Sequence, residues 1–226
     1  MKKAFSTSLI EGKQKHGVAI IAEIKKSSPS EGILKTNLDV VPQAKLYEKG
    51  GASAISVLTE TSLFNGSLKD LMDVSDTVLL PTLRKDFITE KKQIDEAKQY
   101  GASAILLIVQ IVDHKALREL FVYATKRELE VLVETHTPDE VTKAISIGAT
   151  IIGVNARNLA TLKINKTIFE DLLPLIPKHC IKIAESGIET RSDVRYALKN
   201  GADAILVGSA IMKSENPEKK IKELLV

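Results

Sequence analysis

The sequence predicts an α/β fold, a single (β/α)8 TIM barrel in which eight parallel strands close inside a ring of helices. Two observations carry that expectation. Eight short apolar runs punctuate the chain, and nearly every one ends in a charged, amide or glycine–serine group. Buried parallel strands read as continuous apolar runs rather than alternating ones, and such a barrel keeps its chemistry at the C-terminal ends of its strands. The second observation is a repeat. Gly-Ala-Ser-Ala-Ile and its close variants begin at Gly51, Gly101, Gly148 and Gly201, a step of about 50 residues, or two βα units. The motif therefore marks strands two, four, six and eight. An open doubly wound sheet is the alternative. It would carry a glycine-rich turn after its first strand, where this chain has Ser27-Ser28-Pro29-Ser30.

Taken in order, the run 19–24 carries Glu23 and leads into Lys25, and 54–58 leads into Thr59 and Glu60. Run 78–83 meets Arg84 and Lys85, 104–109 meets Gln110, and 131–133 meets Glu134. Run 151–154 leads into Asn155, 181–184 into Glu185 and Ser186, and 204–207 into Gly208 and Ser209. The segments between them read as helices. After the fifth run, Thr137-Pro138-Asp139-Glu140 forms a capping box: the threonine oxygen accepts a backbone N–H and Glu140 reaches back to the cap. Val141, Ala144 and Ile145 then share a face before Gly148 ends the helix. Ile94 and Ala97 before Gly101, and Val194, Ala197 and Leu198 before Gly201, repeat the scheme. The amphipathic tail 219–226 reads as the last helix and residues 1–18 as a lead-in. No Pro/Gly/Ser-rich linker interrupts the chain, so residues 1–226 are expected to form one barrel domain.

Composition narrows the classes of function. The chain is 44% apolar and 27% charged, ordinary for a globular protein. Its net charge of +3 is scattered among acids, which indicates solvated helix faces and argues against nucleic acid as a partner. A slight positive excess suits a small anionic substrate. The one cysteine, Cys180, excludes an internal disulfide and reads as a buried structural thiol. No apolar run approaches the ~20 residues that span a bilayer, and residues 1–10 hold no signal-peptide core. A cytoplasmic protein without a membrane partner is expected, with monomer and homodimer both open. His16, His114 and His179 lack metal-ligand spacing, so no metal is expected. His136 reads as a loop histidine.

The strand ends then sort into two groups. Alternation puts Glu23 and Lys25 on one side of the first strand, and Lys85 and Phe87 on one side of the third. With Glu134, Asn155 and Arg157, they gather at the mouth if that side faces inward. A lattice of ion pairs plugging the barrel top is the alternative. Glu185-Ser186-Gly187 after the seventh run and Gly208-Ser209 after the eighth make an anion cradle, because glycine allows close backbone approach and serine adds a hydroxyl. Such a mouth performs acid–base chemistry. Lys85, between Leu83 and Phe87, is suited either to donate a proton or to form a Schiff base.

The motifs Ile21-Ala-Glu-Ile-Lys-Lys-Ser-Ser-Pro-Ser-Glu-Gly32, Ser56-Val-Leu-Thr-Glu-Thr-Ser-Leu-Phe-Asn-Gly-Ser67 and Leu83-Arg-Lys-Asp-Phe87 resemble those of the indole-3-glycerol-phosphate synthase family. So do Leu132-Val-Glu-Thr-His136, Gly153-Val-Asn-Ala-Arg-Asn-Leu159, Glu185-Ser-Gly-Ile188 and Val207-Gly-Ser209. The resemblance implies a cofactor-free ring closure, decarboxylation and dehydration of an anthranilate-bearing deoxyribulose phosphate. It implies Lys85 as general acid, Glu134 as base and Glu23 as the group that orients Lys85. Lys25, Ser28, Phe64, Phe87, Asn155, Arg157 and Glu185 are implied to bind substrate, and Ser186, Gly187, Gly208 and Ser209 its phosphate. Both Lys25 and Lys85 qualify for the dehydration step. A further implication is a shortened N-terminal extension, since members carry an extra helix near the barrel mouth and here about twenty residues precede Glu23. The competing expectations are another phosphate-binding barrel isomerase of amino-acid biosynthesis and a non-catalytic phosphate-ligand binder.

Overall fold

Eight parallel strands pair in chain order and close on themselves: β1 (Ala19–Ile24), β2 (Ala54–Leu58), β3 (Thr82–Lys85), β4 (Ala104–Ile108), β5 (Glu130–Thr135), β6 (Ile151–Asn155), β7 (Ile181–Glu185) and β8 (Ala204–Val207). The last strand pairs with the first, Ala19 opposite Ala204 and Ala22 opposite Val207. This computed structural model describes residues 2–35 and 38–226. Helices α1 (Phe5–His16), α2 (Val40–Gly50), α3 (Leu68–Thr77), α4 (Lys91–Gln99), α5 (His114–Lys126), α6 (Pro138–Ser146), α7 (Ile168–Leu172), α8 (Arg191–Lys199), α9 (Ser209–Met212) and α10 (Pro217–Leu224) complete the (β/α)8 pattern. A two-residue antiparallel hairpin, Ser27–Ser28 with Gly32–Ile33, sits in the loop after β1. No helix among the described residues is long and apolar enough to cross a membrane.

Strand alternation builds two apolar layers. Outward residues such as Ile20, Ile55, Leu107, Val133 and Ile152 pack under the helices. Inward residues such as Ile21, Leu83, Leu106, Leu132, Ile183 and Leu206 fill the barrel. At the strand C-termini the inward faces become charged, where Glu23, Lys85, Glu134 and Glu185 follow on the same faces. The four repeat glycines all close helices with φ between 81° and 100°, a region that a Cβ disfavours. Cys180 is buried, its thiol directed at the Ala149 carbonyl 3.5 Å away.

Three local expectations are corrected. The third strand begins at Thr82, not at Val78. Val78 is instead the C-cap of α3, its N–H bonded to the Val74 carbonyl, and Leu79 is left 79% exposed before Pro81. Proline has no N–H to give to a ladder, so the strand waits for the next residue. On α6, Val141 and Ala144 are buried while Ile145 is exposed, because 3.6 residues per turn carry it past the buried stripe. Thr137 does cap α6 through the Glu140 N–H, but the Glu140 carboxylate reaches one residue further back than a capping box requires, to the N–H of His136 at 2.7 Å.

Within the expected lead-in lies α1, which the sequence reading does not anticipate. Its N-cap, Ala4, offers no side-chain acceptor. The Glu130 carboxylate at the bottom of β5 supplies one by accepting the Ser6 N–H at 3.0 Å. Ser8 donates to the Ser53 carbonyl. Phe5 and Leu9, one turn apart and at most 1% exposed, insert into the inward cluster at the N-terminal end of the barrel. The helix is therefore a floor, at the end opposite the polar strand termini. Replacing Phe5→Ala should cost about 3–5 kcal/mol, the usual range for emptying a buried aromatic position. Urea denaturation of the variant should show that loss as a lower midpoint with an unchanged slope.

Candidate active site

The polar strand ends enclose a cavity of about 340 Å³, within the range of small-molecule sites. Every residue that the sequence analysis nominates for catalysis, substrate binding or phosphate binding lines it. At its centre, the Lys85 Nζ lies 3.0 Å from Glu134 Oε2 and 3.6 Å from Glu185 Oε2. Asn155 Nδ2 donates to the other Glu134 oxygen at 3.0 Å. Glu23 pairs with Lys25 at 3.2 Å at the end of β1.

These contacts decide the charge states. Burial alone pulls the Lys85 pKa down, but the carboxylates of Glu134, Glu185 and Glu23 together outweigh it and raise the pKa above the ordinary lysine value. Lys85 is thus an ammonium, poised to donate a proton rather than to attack a carbonyl. Burial pushes the Glu134 pKa up, yet Lys85, His136 and Asn155 overcome this and hold it below the usual carboxylate range. Glu185 goes the other way: burial and the Glu134 charge raise it well above that range, against the pull of Lys85. Neither Glu185 oxygen has a hydrogen-bond partner among the described residues. The Glu185 carboxyl group thus binds its proton more tightly than an ordinary carboxyl, buried at the cavity edge beside Lys85.

Two glycines make room for this cluster. A Cβ on Gly153 would collide with Glu185 Oε1, and one on Gly208 with the Glu23 carboxylate and the Lys25 ammonium. Small residues at these strand ends are a steric requirement of the charges beside them.

At the β7–β8 side, Ser186 and Gly187 adopt left-handed φ angles of 67° and 74° in succession. Consecutive residues of this kind can turn their N–H groups into an anion-binding concavity, and Ser186 carries the strain a side chain brings there. Helix α8 follows this turn. It begins at Arg191 and is closed by its own capping box, Thr190 with Asp193. A carboxylate already occupies the edge of the cradle: Ser209 Oγ donates to Glu31 Oε2, and Lys213 Nζ binds Glu31 Oε1. Burial opposes the Glu31 charge, but hydrogen bonds from Lys213 and Ser209 hold its pKa down. Sequence reasoning misses both Glu31 and Lys213, because 182 residues separate them.

The opposite wall is aromatic. Phe64 and Phe87 lie 6.3 Å apart, tilted by 50°. The strand-two end, Thr59 and Glu60, explains how they are held. The Glu60 carboxylate accepts the N–H groups of Ser62, Leu63 and Phe64. Thr59 Oγ1 donates to Asp86 Oδ2, which also pairs with the buried Arg84, and Asp86 Oδ1 accepts the Phe87 N–H at 2.8 Å. Arg84 and Asp86 thereby grip the chain on both sides of Lys85. Their spacing of two residues, on the face opposite Lys85, is the signal that could have revealed them. Gln110 is exposed on a short 3-10 turn, Val109–Ile111, outside this arrangement. Arg157 Nη1 donates to Ser30 Oγ at 2.9 Å and to the Leu162 carbonyl, joining two loops over the mouth. Ser28 Oγ is buried without a hydrogen-bond partner among the described residues.

The fold and site define a (β/α)8 barrel enzyme with an acid–base centre beside an anion-binding rim. A family model described as indole-3-glycerol phosphate synthase matches residues 1–224. Proteins named indole-3-glycerol phosphate synthase from Aquifex aeolicus and Kineococcus radiotolerans are 48% and 44% identical to this chain, over 92% and 94% of its length and 82% and 77% of theirs. The chain belongs to the indole-3-glycerol phosphate synthase family. Solved structures of a thiamine phosphate pyrophosphorylase from Pyrococcus furiosus and an N-acetylmannosamine-6-phosphate 2-epimerase from Clostridium perfringens share the fold. Their TM-scores are 0.66 and 0.67, each at 18% identity, covering 93% and 90% of this chain and 95% and 90% of theirs.

The raised Glu185 pKa has a measurable consequence. A carboxyl whose folded pKa exceeds its unfolded one binds extra protons in the folded state between the two values, so stability falls as pH rises through that window. Glu185→Gln removes this penalty. Thermal melts should show the variant gaining stability over the wild type from the ordinary carboxylate range upward, with the gain vanishing at acid pH.

Proposed function

We infer that the cavity closes, decarboxylates and dehydrates 1-(2-carboxyphenylamino)-1-deoxyribulose 5-phosphate to indole-3-glycerol phosphate. The observation that carries the assignment of roles is the Lys85 ammonium, buried between Glu134 and Glu185 at one end of a cavity whose other end is an anion cradle. The substrate has one phosphate and one carbonyl, and needs both features at once.

In this reading Ser186, Gly187, Gly208 and Ser209 take the phosphate, which displaces the Glu31 carboxylate from Ser209 and Lys213. Lys25 adds charge beside it. Phe64 and Phe87 pack the anthranilate ring, while Arg157, Asn155 and Ser28 hold its polar edge. As the ring carbon bonds to the carbonyl carbon, the oxygen becomes an alkoxide, a far stronger base than an amine. Lys85 gives it a proton, and Glu23 supplies part of the negative field that keeps Lys85 charged beforehand. Carbon dioxide then leaves, returning its bonding electrons to the ring. Loss of the hydroxyl as water, assisted by Lys25 or by Lys85 once solvent has returned its proton, and of a proton to Glu134 completes the indole. Glu185, whose oxygens accept no hydrogen bond among the described residues, binds a substrate hydroxyl. We place this reaction in the cytoplasm.

The chain contains no tryptophan, so indole fluorescence that rises when the ring-opened substrate is added can come only from product. Folded protein that stays dark with ample substrate would remove the assignment. Lys85→Ala and Glu134→Gln should each lower kcat by roughly 10²–10⁴-fold, the usual scale for losing an acid or base. Turnover close to wild type in either variant would reassign that residue.

A further inference from the structure

His136 stands one residue beyond the end of β5, and its side chain is 9% exposed. It does not line the cavity. Its ring lies behind Glu134, with Nε2 3.4 Å from Glu134 Oε1 and Nδ1 3.3 Å from Glu140 Oε2. Nε2 has no hydrogen-bond partner among the described residues, so this buried nitrogen is aimed at Glu134 at ion-pair distance. Glu140, only 9% exposed itself, is fixed in turn: it accepts the His136 N–H at 2.7 Å, and its own N–H is bonded to Thr137. A carboxylate, an imidazole and a second carboxylate thus run in line from the reacting centre to the first turn of α6.

We propose that His136, anchored by Glu140, is a positioning residue that holds the Glu134 carboxylate in place and in its charged form during turnover. The need for it comes from Lys85, and the inference rests on the reading of Glu134 as the base. Before reaction the Lys85 ammonium binds Glu134. Once that proton is given to the substrate, Lys85 is neutral and its hold on Glu134 weakens. The contacts left to Glu134 are Asn155, an uncharged donor, and His136. His136 lies between the two carboxylates, and its presence beside Glu134 favours the charged form of that carboxyl group. The charged groups facing this pair are Lys85 on β3, Glu185 on β7 and Glu23 on β1 from the cavity side, and Glu140 on α6 from behind.

The test is the pH dependence of kcat/KM in His136→Ala and His136→Gln, with far-UV circular dichroism and thermal melts to verify folding. For His136→Ala the acidic limb should move up by about one pH unit, and kcat at the acid end should fall about tenfold, the equivalent of one pKa unit, with KM nearly constant. His136→Gln keeps a hydrogen-bond donor but not the imidazole. It should recover most of kcat at neutral pH while its acidic limb stays displaced. Folded variants whose acidic limbs coincide with the wild type, or whose loss falls on KM alone, would overturn the proposal. Glu134→Gln separates the two readings. If it is inactive while the His136 variants match the wild type, Glu134 stands as base and His136 is only structural. If it is active, the base assignment fails and this inference falls with it.

Discussion

Two lysines and three carboxylates share the top of a closed barrel, and much of the molecule is arranged around the cost of putting them there. An unpaired buried charge costs several kcal/mol, and a buried pair repays its desolvation only with close geometry and additional hydrogen bonds. Here the compensation is divided. Lys85 and Lys25 balance Glu134 and Glu23, while burial and the Glu134 charge hold the Glu185 carboxyl well above the usual carboxylate range. Asn155 and the His136–Glu140 pair brace Glu134 from the far side. Gly153 and Gly208 keep the neighbouring backbone low enough for the carboxylates to fit. None of these groups does its work alone, which is why they recur on alternate strands.

Rigidity around this cluster comes from contacts that never reach the cavity. Arg84 and Asp86, pointing the other way from Lys85, tie β3 to Thr59 and to the Gln93 carbonyl on α4. Glu60 gathers three backbone N–H groups so that Phe64 faces Phe87. A long lysine has many rotamers, and its reach is useful only when the strand beneath it is fixed.

The eight strands and the cavity residues were legible in the sequence because both follow from local rules. An apolar run of four to six residues is buried on both faces, and a polar group two positions beyond an inward residue must appear at the mouth. What was illegible depended on distant partners. Helix α1 offers one apolar pair, Phe5 and Leu9, and its N-terminal acceptor lies at Glu130. The run from Val78 to Leu83 satisfies strand patterning until Pro81 is weighed. The contact of Glu31 with Ser209 and Lys213 joins two ends of the chain. The charge of Lys85 was left open because burial and carboxylates pull in opposite directions, and only the distances show which wins.

The floor made by α1 bears on traffic through the enzyme. Phe5 and Leu9 close the N-terminal end, and stacked aliphatic side chains fill the space above them, so the barrel is a cup and not a tube. The reaction assigned to it releases carbon dioxide, water and a large phosphorylated product. All three must depart by the doorway through which the substrate came. Under the roles proposed above, the two small molecules form beside Lys85 and Glu134 while the product is held by its phosphate at Ser186, Gly187, Gly208 and Ser209. Escape past the aromatic wall, or a wait until the phosphate lets go, is therefore built into every turnover.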